Sequence, residues 1–237
     1  YVYSHSDFYR NKWQEAGIRH ERDIGELDDL SRLPFTGKDE IRVAQSLQPP
    51  FGSNQCAPWS DIVRVYSTSG TTGTPCYMPV TGRDLDVWQT ISARTYTTTG
   101  LRRGMRTISL YNAGPFVVGA ALDALTRLAV CHHPIGTGQT ERALGAIRQL
   151  RAEALLCTPS YALYLGERLN ELGVSPGDLA LRHICVAGEP GGGDAVMRRR
   201  IEQSLGGSVR EAMGIGDISI SLWGECEAQQ GMHFSGG

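Results

Sequence analysis

Ala154-Leu155-Leu156-Cys157-Thr158-Pro159-Ser160-Tyr161-Ala162-Leu163 is a four-residue apolar run turned straight into a helix start. A short, wholly apolar run bounded by turn chemistry reads as a strand buried on both faces. Thr158 and Ser160 are both residues that cap helices, and Pro159 suits a first turn, where a missing N–H costs nothing. The reading is a strand over Ala154–Cys157 and a helix over Ser160–Leu172. The same alternation extends in both directions. Upstream, Thr107–Tyr111 is a strand, Phe116–Leu128 a helix, Ala129–His132 a strand and Glu141–Leu150 a helix. Downstream, Leu181–Val186 is a strand and Asp194–Leu205 a helix. Strands alternating with helices of this length predict βαβ units: an α/β chain with a mainly parallel sheet flanked by helices. Ligands of such open sheets bind beyond the carboxyl ends of the strands.

Before this region the pattern changes. Ser6 can cap a helix running to Ala16, with Gly17 as its stop. Asp28–Leu33 is a short helical pattern halted by Pro34. Thr36 stands three residues before Asp39, a box-like start for a helix over Lys38–Gln45. Gln48–Ser60 is a loop. Ile62–Tyr66 alternates as a strand, Cys76–Val80 is its return, and Thr81 caps a long helix to about Thr99. Between the two strands runs Ser67-Thr68-Ser69-Gly70-Thr71-Thr72-Gly73-Thr74-Pro75. Glycines let the backbone approach a ligand closely, successive N–H groups form an anion nest, and the hydroxyls add rotatable donors. A loop of this make-up on a strand suits a polyphosphate. It is not a Walker A loop, because no Gly-Lys-Ser/Thr follows the spacer. A plain Ser/Thr/Gly surface loop is the bland alternative.

Composition narrows the classes. The 237 residues are 41% hydrophobic and 20% charged, with a formal net charge of −2. That balance gives no general electrostatic reason to expect nucleic acid or an anionic membrane as partner. No apolar stretch reaches the roughly 20 residues that span a bilayer. No signal-peptide pattern is present, and six scattered cysteines fit reduced thiols in a cytoplasmic protein. The ends, at Tyr1 and Gly237, read as cut. His132 and His133 are neighbours on a strand and point to opposite faces, so they do not share a metal simply.

The loop Thr68–Pro75 resembles the phosphate loop of the adenylate-forming superfamily, and Cys76 stands where many members carry a Lys. The phenylacetate–CoA ligase branch also usually lacks that Lys. Leu33-Pro34-Phe35-Thr36-Gly37-Lys38 and Cys157-Thr158-Pro159-Ser160-Tyr161 are similar to segments of the same family. So are Asp84, Asp86 and Trp88 behind the loop, although core packing is the favoured reading of Trp88. In order along the chain follow Asn112-Ala113-Gly114-Pro115-Phe116, Ala187-Gly188-Glu189-Pro190, Glu211-Ala212-Met213-Gly214-Ile215-Gly216-Asp217 and Glu225-Cys226-Glu227 with Gly231-Met232-His233.

The resemblance implies an ATP-dependent acid–CoA ligase: an aryl, phenylacetate-like acid is activated to acyl-AMP and then transferred to CoA. It implies Ser67, Thr68, Ser69, Gly70, Thr71, Thr72 and Gly73 on the phosphates, with Thr71 and Thr72 catalytic. It implies Gly188, Glu189, Pro190, Met213 and Gly214 beside the adenosine, and Phe116, Ala113 and Ala187 beside the acid. Asp217 would be catalytic and hold Mg²⁺, directly or through water. Departures accompany these matches. Ala113 and Met213 replace family tyrosines, Gly216 a Thr and Asp217 a Glu. Cys226 and His233 would be half of a structural Zn²⁺ site, or else a small buried thiol and a surface imidazole. Residues 1–60 are expected as an amino-terminal helical segment. Residues 61–237 are expected as the nucleotide- and acid-binding α/β part of the same large domain, with the carboxy-terminal lid outside the chain. The implied partners are the acid and CoA, with a homodimer as a further expectation. Two rivals stand beside this reading: an adenylating enzyme that loads a carrier protein, and a nucleotide- or acyl-binding module without catalysis.

Overall fold

Thr158 settles which hydroxyl caps the central βα turn. Its Oγ1 accepts from the Tyr161 N–H at 3.4 Å, and Pro159 occupies the first turn of the helix that follows. A computed structural model describes residues 1–68 and 75–236. The chain forms two compact units, Tyr1–Asp84 and Leu85–Gly237, whereas the sequence reading places a division after residue 60.

In the first unit α1 (Val2–His5) and α2 (Asp7–Glu15) precede two 3-10 turns, Glu21–Asp23 and Leu27–Arg32. Ser6 caps α2 as expected, accepting from Tyr9 N. The expected helix over Asp28–Leu33 is thus a 3-10 segment. The box at the head of α3 (Lys38–Leu47) lies one residue later than expected: the Glu40 carboxylate accepts from Gly37 N at 2.6 Å. Strands β1 (Ile62–Ser67) and β2 (Tyr77–Thr81) form an antiparallel pair with Tyr66 opposite Met78. Gln45 ties α3 to this pair, donating to Tyr77 O at 2.7 Å and accepting from Tyr77 N at 3.1 Å. Ile18, Ala44, Phe51, Tyr66, Cys76 and Val80 are buried.

Helix α4 (Gly82–Thr98) opens on a reciprocal cap, with Thr81 Oγ1 accepting from Asp84 N and Asp84 accepting from Thr81 N. The second unit then alternates β3 (Arg106–Ser109), α5 (Val118–Arg127), β4 (Cys131–Pro134), α6 (Thr140–Gln149), β5 (Ala154–Cys157), α7 (Pro159–Glu171), β6 (His183–Val186) and α8 (Ala195–Leu205). It ends in β7 (Ser208–Ile215), β8 (Ser219–Glu225) and β9 (Met232–Phe234). The sheet order is β4-β3-β5-β6-β7-β8-β9, parallel from β4 through β7 and antiparallel beyond.

The central strands β3, β5 and β6 are buried on both faces, whereas the edge strands β4 and β9 are largely exposed. Leu155, Cys157, Ile184, Val186 and Val209 pack with residues of α6, α7 and α8. The alternate residues Ala154, Leu156, Cys185 and Ala212 pack with Tyr96 of α4 and Ala121 and Leu125 of α5. The strands differ from the sequence reading in several places: β3 ends at Ser109, two residues early, and β6 begins at His183, two residues late. β4 begins two residues later than expected, because Ala129 takes φ 52° in the turn after α5. The β7–β9 meander has no counterpart in that reading: Gly214, Gly216 and Asp217 interrupt its apolar alternation. No helix among the described residues is long and apolar enough to cross a membrane.

Candidate functional site

The order β4-β3-β5 contains a reversal. The chain leaves β3 toward β4 and later returns past β3 to β5, so connections from β3 and β5 run in opposite directions. Such a switch point leaves a crevice at the carboxyl ends of the strands, where α/β sheets bind ligands. Four segments of the second unit lie at these ends: Tyr111–Phe116 after β3, Thr158 after β5, Ala187–Gly193 after β6, and the carboxyl half of β7.

Tyr111 joins three of them. Its hydroxyl donates to Cys157 O at 2.5 Å and reaches Ala187 O at 3.3 Å. Burial pushes the phenol well above its ordinary range, so it stays a donor. Ala187 N donates to Cys157 O at 3.2 Å, closing the β5–β6 end. Gly188 has φ +94°, a conformation that disfavours side chains, and an added Cβ would lie 3.7 Å from the Thr158 methyl. Glu189 turns back: its Oε1 accepts from Ser160 N at 2.6 Å, at the start of α7. A carboxylate there is favoured by the helix dipole.

The other expected residues fall as follows. Ala113, like Tyr111 and Ala187, packs against the core on the α4–α5 face. Phe116 is half-buried, and its carbonyl accepts from Gly119 N at 2.9 Å at the head of α5. Pro190 is exposed. Met213 is exposed and pairs with Trp223 across the β7–β8 ladder. Gly214 packs so closely on β8 that a Cβ would meet Ser221 N at 2.3 Å. Asp217 is exposed in the β7–β8 turn. Cys226 is half-buried after β8, and His233 is exposed on β9 opposite Gly224. Among the described residues no group of three or more His, Cys, Asp and Glu is arranged to hold a metal ion.

In the first unit, Ser67 closes β1, and Thr68 Oγ1 accepts from Cys76 N at 3.2 Å at the base of the connecting loop. The expectations for Ser69, Gly70, Thr71, Thr72 and Gly73 lie outside the described residues.

Cys157 and Cys185 are not poised as nucleophiles. Burial raises Cys157 far above the ordinary thiol range and Cys185 to about 12, so both remain protonated. The strand ends therefore offer backbone groups, an apolar floor and carboxylates, an arrangement for holding a ligand.

Four features of this region escape the sequence reading. Tyr111 reads there only as the end of a strand, though a buried Tyr normally finds a partner for its hydroxyl. Gly191-Gly192-Gly193 carries no assignment, although three successive glycines signal close approach of another group. Glu211 and Glu225 stand in motif segments without a role of their own, and the contacts of Glu211 and of the buried pair Arg198–Glu225 give no local signal, because they reach 14 and 27 residues along the sequence.

No family model matches the chain. Among curated proteins it is 35% identical over 236 residues to a phenylacetate–coenzyme A ligase of Thermus thermophilus, covering 98% of this chain and 51% of that protein. It is 33% identical over 219 residues to one of Pseudomonas putida, covering 92% and 48%. A solved 2-hydroxyisobutyryl-CoA ligase, in an open conformation with 2-HIB-AMP and CoA, matches at TM-score 0.90 and 27% identity, over 99% of this chain and 51% of that one. The chain thus spans about half the length of each.

Proposed function

We propose that the chain, which belongs to the phenylacetate–CoA ligase family, serves an ATP-dependent ligase that converts a carboxylic acid to acyl-AMP and then to its CoA thioester. The observation that carries this reading is the likeness, over 99% of the chain, to a ligase solved with its acyl-AMP and CoA. The motifs after β3, β5 and β6 fall at the carboxyl ends of parallel strands, where such a ligand would sit. ATP supplies the adenylyl group, and Mg²⁺ offsets charge on its phosphates. The donors of Ser67–Thr72 would take those phosphates, with Thr71 and Thr72 aimed at the charge that develops as pyrophosphate leaves. Asp217 offers one carboxylate, which suffices for Mg²⁺ when phosphates and waters complete the octahedron. The Ala187–Pro190 backbone and Met213–Gly214 would flank the adenosine, with Phe116, Ala113 and Ala187 toward the acid. Glu189 would act through its hold on α7, keeping that backbone in place. Cys226 and His233 are two ligands where a structural zinc site takes four, and no zinc is assigned to them.

The acid in this reading is aryl, with Phe116 as an aromatic wall and Ala113 leaving room that a Tyr would fill. A second reading, a small hydroxy acid, is favoured by the likeness to the 2-hydroxyisobutyryl-CoA ligase. Acid-dependent pyrophosphate release, measured over arylacetates, benzoates and short hydroxy acids, separates the two. Preference for an arylacetate or benzoate supports the aryl assignment; preference for the short hydroxy acids transfers it to the second reading.

A further inference from the structure

Gly192 is held from two sides. Its carbonyl accepts from Arg198 Nη2 at 3.0 Å and from Nε at 3.3 Å. The Glu211 side chain lies directly against the Gly192–Gly193 backbone, and the two N–H groups act on its charge, holding its carboxyl down against burial. The fit leaves no room for a side chain. A Cβ on Gly192 would lie 2.9 Å from Glu211 Cδ, and one on Gly193 would lie 2.9 Å from Glu211 Oε2. The last two glycines of the run are therefore packed against the Glu211 side chain, with Val186 Cγ2, 2.7 Å from a Cβ at Gly192, closing that position from the sheet side.

Glu211 is itself fixed. Its backbone N–H donates to Glu225 Oε2 at 3.1 Å. Glu225 in turn accepts from Arg198 Nη2 at 2.9 and 2.8 Å, in a pair whose side chains are 10% and 7% exposed. Arg198 is bonded to Glu225 and not to Glu211, and burial first and the nearby Glu225 next raise the Glu211 carboxyl above its ordinary range. A carboxylate, not an apolar side chain, is seated against this glycine backbone, which points to a task for its two acceptor oxygens. The loop they hold begins at Ala187 and Gly188, at the crevice described above.

Resting on the ligase reading, we propose that Glu211 is a positioning residue: by accepting from Gly192 and Gly193 it sets the Ala187–Gly193 loop in the conformation that binds the adenylate. It touches no ligand in this role. Glu211→Gln retains a carbonyl acceptor on a side chain of the same length, whereas Glu211→Ala removes it.

Hydrogen–deuterium exchange of the unliganded protein tests the clamp without any ligand. In Glu211→Ala, exchange over residues 187–193 should rise at least fivefold while β5 and α7 remain protected, and Glu211→Gln should stay within twofold of wild type. Unchanged exchange in Glu211→Ala overturns the clamp, as does equal loosening in both variants. Titration with AMP then tests its purpose. The expected result is a Kd at least fivefold higher in Glu211→Ala, restored to within twofold by Glu211→Gln. Equal AMP affinity in wild type and Glu211→Ala overturns the positioning role. A wild-type protein that binds no AMP overturns the nucleotide reading and with it the purpose, leaving the exchange result to decide the clamp.

Discussion

Single side chains that look alike in the sequence do different kinds of work. Thr68 secures the base of a loop through Cys76 N, whereas Thr71 and Thr72 are proposed to meet phosphate. Replacing the latter two by Val removes two hydroxyls, each worth about 0.5–1.5 kcal/mol as a neutral hydrogen bond and more to a charged oxygen. Calorimetry with a non-hydrolysable ATP analogue should show at least a tenfold weaker complex; equal affinity removes them from the site. Tyr111 is a different case, a buried hydroxyl that ties two strand ends. Tyr111→Phe should cost about 1 kcal/mol in urea unfolding, the typical net worth of such a bond. No loss of stability would show that the two carbonyls are satisfied without it.

Among the helices and strands, the parallel sheet with its helices was legible and the meander after it was not. Ala154–Cys157 and its Thr158-Pro159 turn carry both strand and cap signals locally, so period and punctuation suffice. The same holds for Asp194, which accepts from Val196 and Met197 N–H at the head of α8. β7 to β9 depend instead on pairing with one another, and Gly214 and Gly216 suppress the alternation that marks a strand. In the candidate site, the segments at the strand ends could be named from motifs that sit in order, whereas contacts between long-range partners such as Arg198 and Glu225 could not. That pair joins α8 to the end of β8 in a buried setting. Arg198→Ala leaves Glu225 uncompensated and should cost about 3–5 kcal/mol. Urea denaturation measures this; a loss under ~1 kcal/mol, typical of an exposed pair, would contradict the burial argument.

For the molecule as a whole, two imidazoles make stability depend on pH. His132 shares a hydrogen bond with Ser109 Oγ at 2.8 Å and is held down to about 4, chiefly by burial and then by His133. His183 is lowered by burial first and by Arg210 next. Both fold neutral, so below about pH 6.5 the unfolded chain binds protons that the folded chain does not. Stability should therefore fall as pH drops from 6.5 toward 4. The slope is at most ~1.4 kcal/mol per pH unit for each group, less here because both rings are partly solvated. In urea unfolding at pH 7.5 and 5, His132→Asn should lose less between the two pH values than wild type; an equal loss would contradict it. Activation of an acid through its adenylate is decided by identifying the nucleotide products formed from ATP, Mg²⁺, CoA and the acid panel in the protein carrying this chain. Acid-dependent AMP and pyrophosphate are expected, with acyl-CoA formed in step with AMP. ADP and phosphate as products, or no acid-dependent turnover of ATP with any acid, would contradict the ligase reading.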